Sequence, residues 1–478
     1  MMESKFKNNL FFAFSAQFIS LLLSVLMSIF VPKFLNVENF GFWQLFLFYV
    51  SYAGFFHFGL TDGIYLTIGG KKYEELDKNE INNQFHILFY IQLIISLIVL
   101  IISLMLVSGE KKYILLISSV YILIANLNWF LGYVFQAINE TKIYSISVMI
   151  DRILFIVFVV GTFIFKINNF YLLIVFYTFT RLIALLYCLW KGRKLLDIKT
   201  NNLIKSFPNT INYIKIGINI TLSSIASMLI VGVGRFFVEQ KWGIKEFSKF
   251  SFSISITNFF LTFIQQISMV LFPALRQLKN SEQTKRIYIK CRKSLCIVLP
   301  ILFIGYIPCK IVLSWWLPQY EISLKYLSLL LPLCIFDGKM QMLSNTYMKV
   351  LRKEKTLLKF NLISLSVAFI TSIIGTYIVE NTYLIIIGLL TSIVIRSIIS
   401  ELYLAKVMDI ALNEEYKYIT MEVLFSMIFI VSNFFLNSII AFIINIICYV
   451  LYCVILKDCF NSTKEVVIKK IKKKKRVE

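Results

Sequence analysis

Leu35-Asn36-Val37-Glu38-Asn39-Phe40-Gly41-Phe42-Trp43 returns, at low similarity, as Trp242-Gly243-Ile244-Lys245-Glu246-Phe247-Ser248-Lys249-Phe250, an offset of 207 residues. Each copy sits between two apolar runs, at 10–31 and 40–60 in the first case and at 211–234 and 247–272 in the second. Moving the runs that begin at 84, 113, 143 and 170 by the same offset brings each close to the runs that begin at 294, 322, 357 and 383. Two six-helix halves follow. Because six is even, the second half enters the bilayer from the same side as the first, so the repeats are parallel and related by an axis along the membrane normal.

Outward from this repeat the chain reads as a polytopic membrane protein. Of its 478 residues, 58% are apolar and only 16% charged, where soluble domains carry about 25% charged residues. The mean hydropathy is +0.78. The remaining apolar runs lie at 84–107, 113–138, 143–165, 170–190, 294–316, 322–343, 357–379, 383–405, 419–436 and 438–456, which makes fourteen candidate spans. Only polar residues around Asn433 and Asn437 separate the last two, so a re-entrant pair is the alternative there. The spans are helical, because lipid satisfies no backbone group and the alternating pattern of barrel strands is absent. The expected organisation is a six-helix lobe over 1–200, a second over 201–410, two additional spans over 411–457 and a basic tail over 458–478. The run from Leu10 to Val31 is long enough to cross, and Val31-Pro32-Lys33 lacks the small-residue pattern of a signal-peptide cleavage site.

Orientation follows from the positive charges behind the net +23. One set of alternate loops holds Lys71, Lys72 and Lys78, then Lys191 to Lys205, then Arg276 to Lys293, then Lys349 to Lys355, and the tail from Lys464 to Arg476. The other set holds only Lys33, Lys111, Lys112, Lys166, Arg235, Lys241, Lys245 and Lys249. The positive-inside rule places both termini in the cytoplasm. The same reading makes the tail a membrane anchor drawn to anionic lipid and excludes nucleic acid as a partner. Two histidines, His57 and His86, and eight cysteines without CxxC spacing leave no zinc-type metal site. No GxxxxGK[ST] loop occurs, so energy from bound ATP is not expected.

Val31-Pro32-Lys33-Phe34-Leu35-Asn36-Val37-Glu38-Asn39-Phe40-Gly41-Phe42-Trp43 resembles the first outer loop of the polysaccharide exporters in the multidrug, oligosaccharidyl-lipid and polysaccharide (MOP) transporter superfamily. Phe58-Gly59-Leu60-Thr61-Asp62-Gly63-Ile64-Tyr65-Leu66 with Gly69-Gly70-Lys71 is similar to the end of their second span and its cytoplasmic loop. Val270-Leu271-Phe272-Pro273-Ala274-Leu275 resembles their element at the end of span eight, whereas Ser248 stands where the second repeat usually has Gly. The resemblance covers spans one to twelve. It implies a V-shaped bundle of two lobes around a central cavity, and a flippase for oligosaccharide carried on a polyprenyl diphosphate, with no covalent chemistry.

Charges inside the spans support that substrate class, since ionisable residues at membrane depth are costly and face a cavity or a partner. They are Asp151, Arg152, Arg181, Asp337, Lys339 and Arg396, with Lys310 nearer the outer face. Asp151 and Arg152 diverge by about 100° around a helix, and Asp337 and Lys339 by about 200°, so each needs a partner from another helix or from a ligand. In this set the basic groups outnumber the acidic ones, and a diphosphate is a fitting counter-charge. Arg152, Arg181, Lys339 and Arg396 are therefore the expected diphosphate ligands, against the competing reading of interhelical salt bridges. Lys359 stands 207 residues after Arg152 at the start of the equivalent span. Asp62, Asp151 and Asp337 are the candidates for coupling to H+ or Na+ or for gating. Asp62, before Gly63, also reads as a turn residue, and His57 as either a proton relay or a satisfied polar contact. Asn126, Asn128, Gln265 and Gln266 line the cavity or bridge helices.

The expected function is the flipping of polyprenyl-diphosphate-linked repeat units to the outer leaflet for a capsule, O-antigen or teichoic-type glycan. Membrane lipids, a polysaccharide polymerase and glycosyltransferases are the other expected partners, and the place is a bacterial plasma membrane. The alternatives are a lipid II flippase and a cation-coupled multidrug exporter of the same fold, although an organic-cation cavity should be acidic. A membrane glycosyltransferase is disfavoured because the outer loops are short and the first offers only Glu38.

Overall fold

The computed structural model describes residues 2–196, 203–276 and 281–474, with side chains over 8–196, 203–264 and 282–465. Every regular element among the described residues is helical. In chain order we label α1 Asn8–Phe34, α2 Val37–Ser51, α3 Leu60–Ile68, α4 Lys78–Leu106, α5 Glu110–Ala137, α6 Thr141–Ile164 and α7 Phe170–Leu196. There follow α8 Leu203–Arg276, α9 Ser281–Val298, α10 Ile301–Trp316, α11 Pro318–Leu330, α12 Leu333–Val350, α13 Glu354–Ile378, α14 Thr382–Val407, α15 Leu412–Phe435 and α16 Ser438–Ile455. The last is α17 Lys457–Lys474.

Among the described residues 11 helices are long and apolar enough to cross a membrane, and the pair α11 and α12, bent by 49°, makes a twelfth crossing. Pro332 stands at that bend, where a ring without an N–H interrupts the helical ladder. Two more crossings are hidden by breaks. Helix α8 is 74 residues long and turns at Gly243, whose φ of 75° and ψ of −173° are non-helical. The second apolar run, 40–60, covers most of α2 and the irregular stretch after it, and α3 begins only at its last residue, Leu60. With these the helices match the fourteen apolar runs. Helices α15 and α16, of 24 and 18 residues, are about 36 and 27 Å long at 1.5 Å per residue. Each is thus comparable with a hydrocarbon core of about 30 Å, and they form two crossings instead of a re-entrant pair.

The stretch expected as the first outer loop is mostly the start of a helix. Asn36 Oδ1 accepts from the Asn39 amide at 2.7 Å and caps α2, which then runs through Phe40-Gly41-Phe42-Trp43. The continuous second span is corrected as well. After α2 the chain makes a 3-10 turn over Ala53–His57 and passes through Phe58 and Gly59, both left-handed with φ of 50° and 88°, before α3 begins. Irregular backbone at membrane depth survives only where protein satisfies it. Here Asn126 Nδ2 donates to the Ala53 carbonyl at 2.9 Å, and Gln92 Nε2 to the Phe56 carbonyl at 2.7 Å.

The chain divides into two compact units: Met1–Met228 with Ile244–Ser248, and Leu229–Gly243 with Lys249–Glu478. Lipid tails are as apolar as leucine, so helices within each unit hold together by close packing and polar contacts and not by the hydrophobic effect. In the first unit the closest approach is between α8 and the α2–α3 break. A Cβ on Gly217 would lie 2.1 Å from the Gly59 carbonyl oxygen and 2.5 Å from the Gly63 nitrogen, and one on Gly63 only 1.9 Å from the Tyr213 carbonyl oxygen. Fully buried Trp43 packs on Phe46, Phe155 and Tyr177 and joins α2 to α6 and α7. Positions related by the 207-residue offset also meet: Lys245 Nζ lies 3.6 Å from Glu38 Oε2, and a Cβ on Gly41 would lie 3.1 Å from the Ser248 Cβ. In the second unit Phe303 stacks on Phe429 at 4.2 Å, and the Tyr449 and Tyr452 hydroxyls donate to the Ile297 and Cys296 carbonyls, so α15 and α16 are docked on α9 and α10.

Candidate functional site

The first centre lies in the first unit, where Asp151 on α6 and Arg181 on α7 each stand about 15 Å along the axis from the start of their helix. Arg181 Nη1 donates to Asp151 Oδ2 at 3.1 Å, and Arg152 Nη1 lies 3.9 Å from the same oxygen. The Thr180 hydroxyl donates to Asp151 Oδ1 at 2.9 Å. Trp129 on α5 presents its ring 5.3 Å from the Arg181 guanidinium carbon, and Tyr177 stands near Arg152. One carboxylate therefore serves two guanidinium groups. Both arginines also keep a buried Nε–H with no hydrogen-bond partner among the described residues. The Arg152 side chain is 26% exposed and that of Arg181 7%. The centre carries a local excess of one positive charge on planar guanidinium groups, the group type that pairs well with oxyanions.

Asp62 lies apart from this centre. It is in the first turn of α3 and not in a turn between elements, and the Thr221 hydroxyl of α8 donates to its Oδ2 at 2.5 Å. His57, at the end of the 3-10 turn, accepts the Gly59 amide on Nδ1 at 3.0 Å. Carboxylate, imidazole and the glycine contact with α8 all gather at one break in the second span. Asn126 bridges helices as described, and Asn128 Nδ2 donates to the Ser147 hydroxyl at 3.2 Å.

Lys339, Asp337 and Arg396 belong to the second unit, and each meets partners from another helix. Arg396 pairs with Asp337, which also accepts from Gln341 Nε2 at 2.6 Å. Lys339 Nζ lies 2.8 Å from Glu401 Oε1 and 2.5 Å from Glu422 Oε2. Arg292 joins the same cluster, 2.9 Å from Glu401, 3.2 Å from Glu415 and 2.8 Å from Glu422. Lys310 donates to the Ser438 hydroxyl at 3.2 Å, and Lys359 is exposed. The side chains of Gln265, Gln266, Val270 to Leu275 and the tail beyond 465 are not among those described.

Arg292, Glu401, Glu415 and Glu422 escaped the sequence reading. Glu401 and Glu422 fall inside the runs 383–405 and 419–436, so their presence at membrane depth was legible; Arg292 and Glu415 fall just outside their runs. Glu401 and Glu422 add two carboxylates to those expected within the spans and pair with Lys339. Among the ion-paired groups of the spans, the positive excess lies at Asp151, Arg152 and Arg181.

No family model matches the chain, and no curated protein matches its sequence. Solved structures do. The lipid II flippase MurJ in an inward closed conformation aligns over 94% of this chain and 99% of its own, at 14% identity and a TM-score of 0.68. A MATE family multidrug resistance transporter of the MOP superfamily, inward-facing, aligns over 82% of this chain and 94% of its own at 14% identity and a TM-score of 0.55. A MOP superfamily transporter from Pyrococcus furiosus, described by a binding pocket of reversed polarity, aligns over 84% and 96% at 12% identity and 0.52. The chain thus has the fold of the MOP superfamily, the superfamily that the sequence motifs resemble.

Proposed function

We propose that this protein is a flippase that carries a polyprenyl-diphosphate-linked oligosaccharide from the cytoplasmic to the outer leaflet by alternating access, for surface polysaccharide synthesis. It works as a secondary transporter in a bacterial plasma membrane, with both termini in the cytoplasm. The observation that carries the reading is the unbalanced centre at Asp151, Arg152 and Arg181, which offers guanidinium donors at membrane depth where a diphosphate must pass. Arg152 and Arg181 bind the diphosphate. Lys339 and Arg396, already held by carboxylates, serve the second unit's integrity in the conformation described. Asp62, at the break between α2 and α3, acts as a gating residue. Substrate arrives from cytoplasmic glycosyltransferases and is consumed outside by a polymerase.

The similarity to a lipid II flippase over nearly the whole of both chains favours a lipid-linked saccharide over a multidrug substrate, and a basic centre is poorly suited to organic cations. Lipid II shares the diphosphate and remains the second reading. The test is flipping in proteoliposomes of purified protein, with a lipid-linked oligosaccharide, lipid II and a cationic dye supplied separately. Transport of the oligosaccharide lipid, weakened in Arg152→Ala, is expected. Transport of the dye alone would refute the proposal, and transport of lipid II alone would establish the second reading.

A further inference from the structure

Arg292, Lys339, Glu401, Glu415 and Glu422 come from α9, α12, α14 and α15, and their side chains are 0–3% exposed. Three carboxylates face two cations, so the cluster would hold a net negative charge if every group were ionised. A net charge in a dry interior is far more costly than a neutral arrangement, and such sites discharge by taking up or losing a proton. The three carboxylates are not equivalent. Glu401 and Glu422 each meet both Arg292 and Lys339, and Glu401 also accepts from the Ser397 hydroxyl at 2.5 Å. Glu415 has a single ion pair among the described residues, to Arg292 Nε at 3.2 Å.

The groups around Glu415 are Arg292 and Tyr288 on α9, Lys339 on α12, Glu401 on α14, and Tyr418 and Glu422 on its own helix. Tyr288 is fully buried, lies within electrostatic reach of Glu415 and Glu401, and has a hydroxyl without a hydrogen-bond partner among the described residues. Water is one residue away. Glu414 is 57% exposed, pairs with Lys293 at 3.9 Å and accepts from the Tyr418 hydroxyl at 3.2 Å.

We propose that this cluster is a proton-binding site in which Glu415 carries one exchangeable proton. The proton enters from the side of Glu414, binds the Glu415 carboxylate as a carboxylic acid and makes the cluster neutral. Its release restores the net negative charge where α15 meets α9, α12 and α14. The site would couple a proton gradient to transport, a consequence that rests on the flippase reading, although proton binding itself does not. It replaces Asp151 and Asp337, both paired with arginine, as the seat of coupling.

The test uses the full-length protein in lipid nanodiscs. Infrared difference spectroscopy at neutral pH should show the carbonyl stretch of one buried carboxylic acid, shifted in heavy water and lost in Glu415→Gln. Glu415→Gln, which replaces a neutral acid by a neutral amide, should leave the melting temperature nearly unshifted, whereas Glu422→Gln should lower it by removing the counter-charge of Arg292 and Lys339. Absence of the acid signal in folded wild-type protein, or its persistence in Glu415→Gln, overturns the proposal, as does an equal loss of stability in both variants. In proteoliposomes the stimulation of flipping by a pH gradient should vanish in Glu415→Gln. Flipping by wild type without the acid signal would refute the proton site and keep the flippase. The signal and its loss without flipping of any lipid-linked saccharide would keep the proton site and refute the flippase.

Discussion

Replacing Arg152 and Arg181 separately by alanine should divide binding from stability. Arg181→Ala removes the 3.1 Å pair and leaves the Asp151 carboxylate, only 4% exposed, facing Arg152 at 3.9 Å and the Thr180 hydroxyl. Breaking a buried pair from one side costs about 3–5 kcal/mol, and the retained contacts put this case at the lower end, about 3 kcal/mol. Arg152→Ala leaves that pair intact and removes a longer contact from a partly exposed side chain, at a cost of about 0–1 kcal/mol. On the ligand side each arginine supplies charge-assisted hydrogen bonds of about 1.5–3 kcal/mol, so either change should weaken diphosphate binding by about 10–100-fold. Arg152→Lys should recover little, because an ammonium lacks the planar fork. The assay pairs thermal unfolding with titration of a lipid-linked oligosaccharide and its flipping in proteoliposomes. Wild-type binding and flipping by Arg152→Ala, at equal amounts of folded protein, would refute the assignment of the diphosphate to this centre. If instead the Asp151→Ala, Arg181→Ala double variant restored both stability and transport, the two residues would be a structural pair and no more.

Gly217→Ala should prevent α8 from seating on the break between α2 and α3, because its Cβ would stand 2.1 Å from a backbone oxygen that cannot rotate away; a loss of about 1–3 kcal/mol or more is expected in thermal unfolding. Arg292→Met leaves Glu401, Glu415 and Glu422 with Lys339 as their one remaining cation, and should destabilise the second unit by about 3–5 kcal/mol, while Arg292→Met combined with Glu422→Leu should recover part of the lost melting temperature. Reporter fusions after Glu38, Lys111 and Glu380 should report outside, and those after Glu75, Lys199, Lys285 and Lys353 inside; an outside signal after Lys285 would overturn the topology and the two-half repeat together.

How far the sequence discloses this molecule depends on which contacts lipid dictates. The spans were legible because a lipid-facing surface must be apolar along the whole crossing, which leaves its mark on every residue of α4, α13 or α16 whatever the neighbours are. The breaks were not. Phe58 and Gly59 depart from helical geometry where Asn126 and Gln92, on two other helices, cap the carbonyls of Ala53 and Phe56, and no local pattern encodes a cap supplied from so far along the chain. The bend at Pro332 was signalled by the proline itself, but its size depends on what α11 and α12 pack against.

The charged residues show the same division more sharply. The helix period sets Asp151 and Arg152 about 100° apart on α6, yet the long Arg152 side chain still reaches the Asp151 carboxylate at 3.9 Å; that the nearer partner is Arg181 depends on the rotation of α7, which apolar periodicity leaves free. Counting charges within spans also misled as long as the second half's carboxylates were overlooked. Glu401 and Glu422 pair with Arg292 and Lys339, and Asp337 with Arg396, so among the ion-paired groups of the spans the positive excess belongs to the Asp151 centre. That narrowing strengthens the functional argument. A uniformly basic interior would attract any anion, whereas a single centre with one carboxylate, two guanidinium groups and unused Nε donors offers a small, planar, multiply bonded site to one headgroup. On the flippase proposed above, selection for a diphosphate would come from geometry at Arg152 and Arg181, while the second unit, with more carboxylates than cations around Arg292 and Lys339, would hold a proton and not a phosphate.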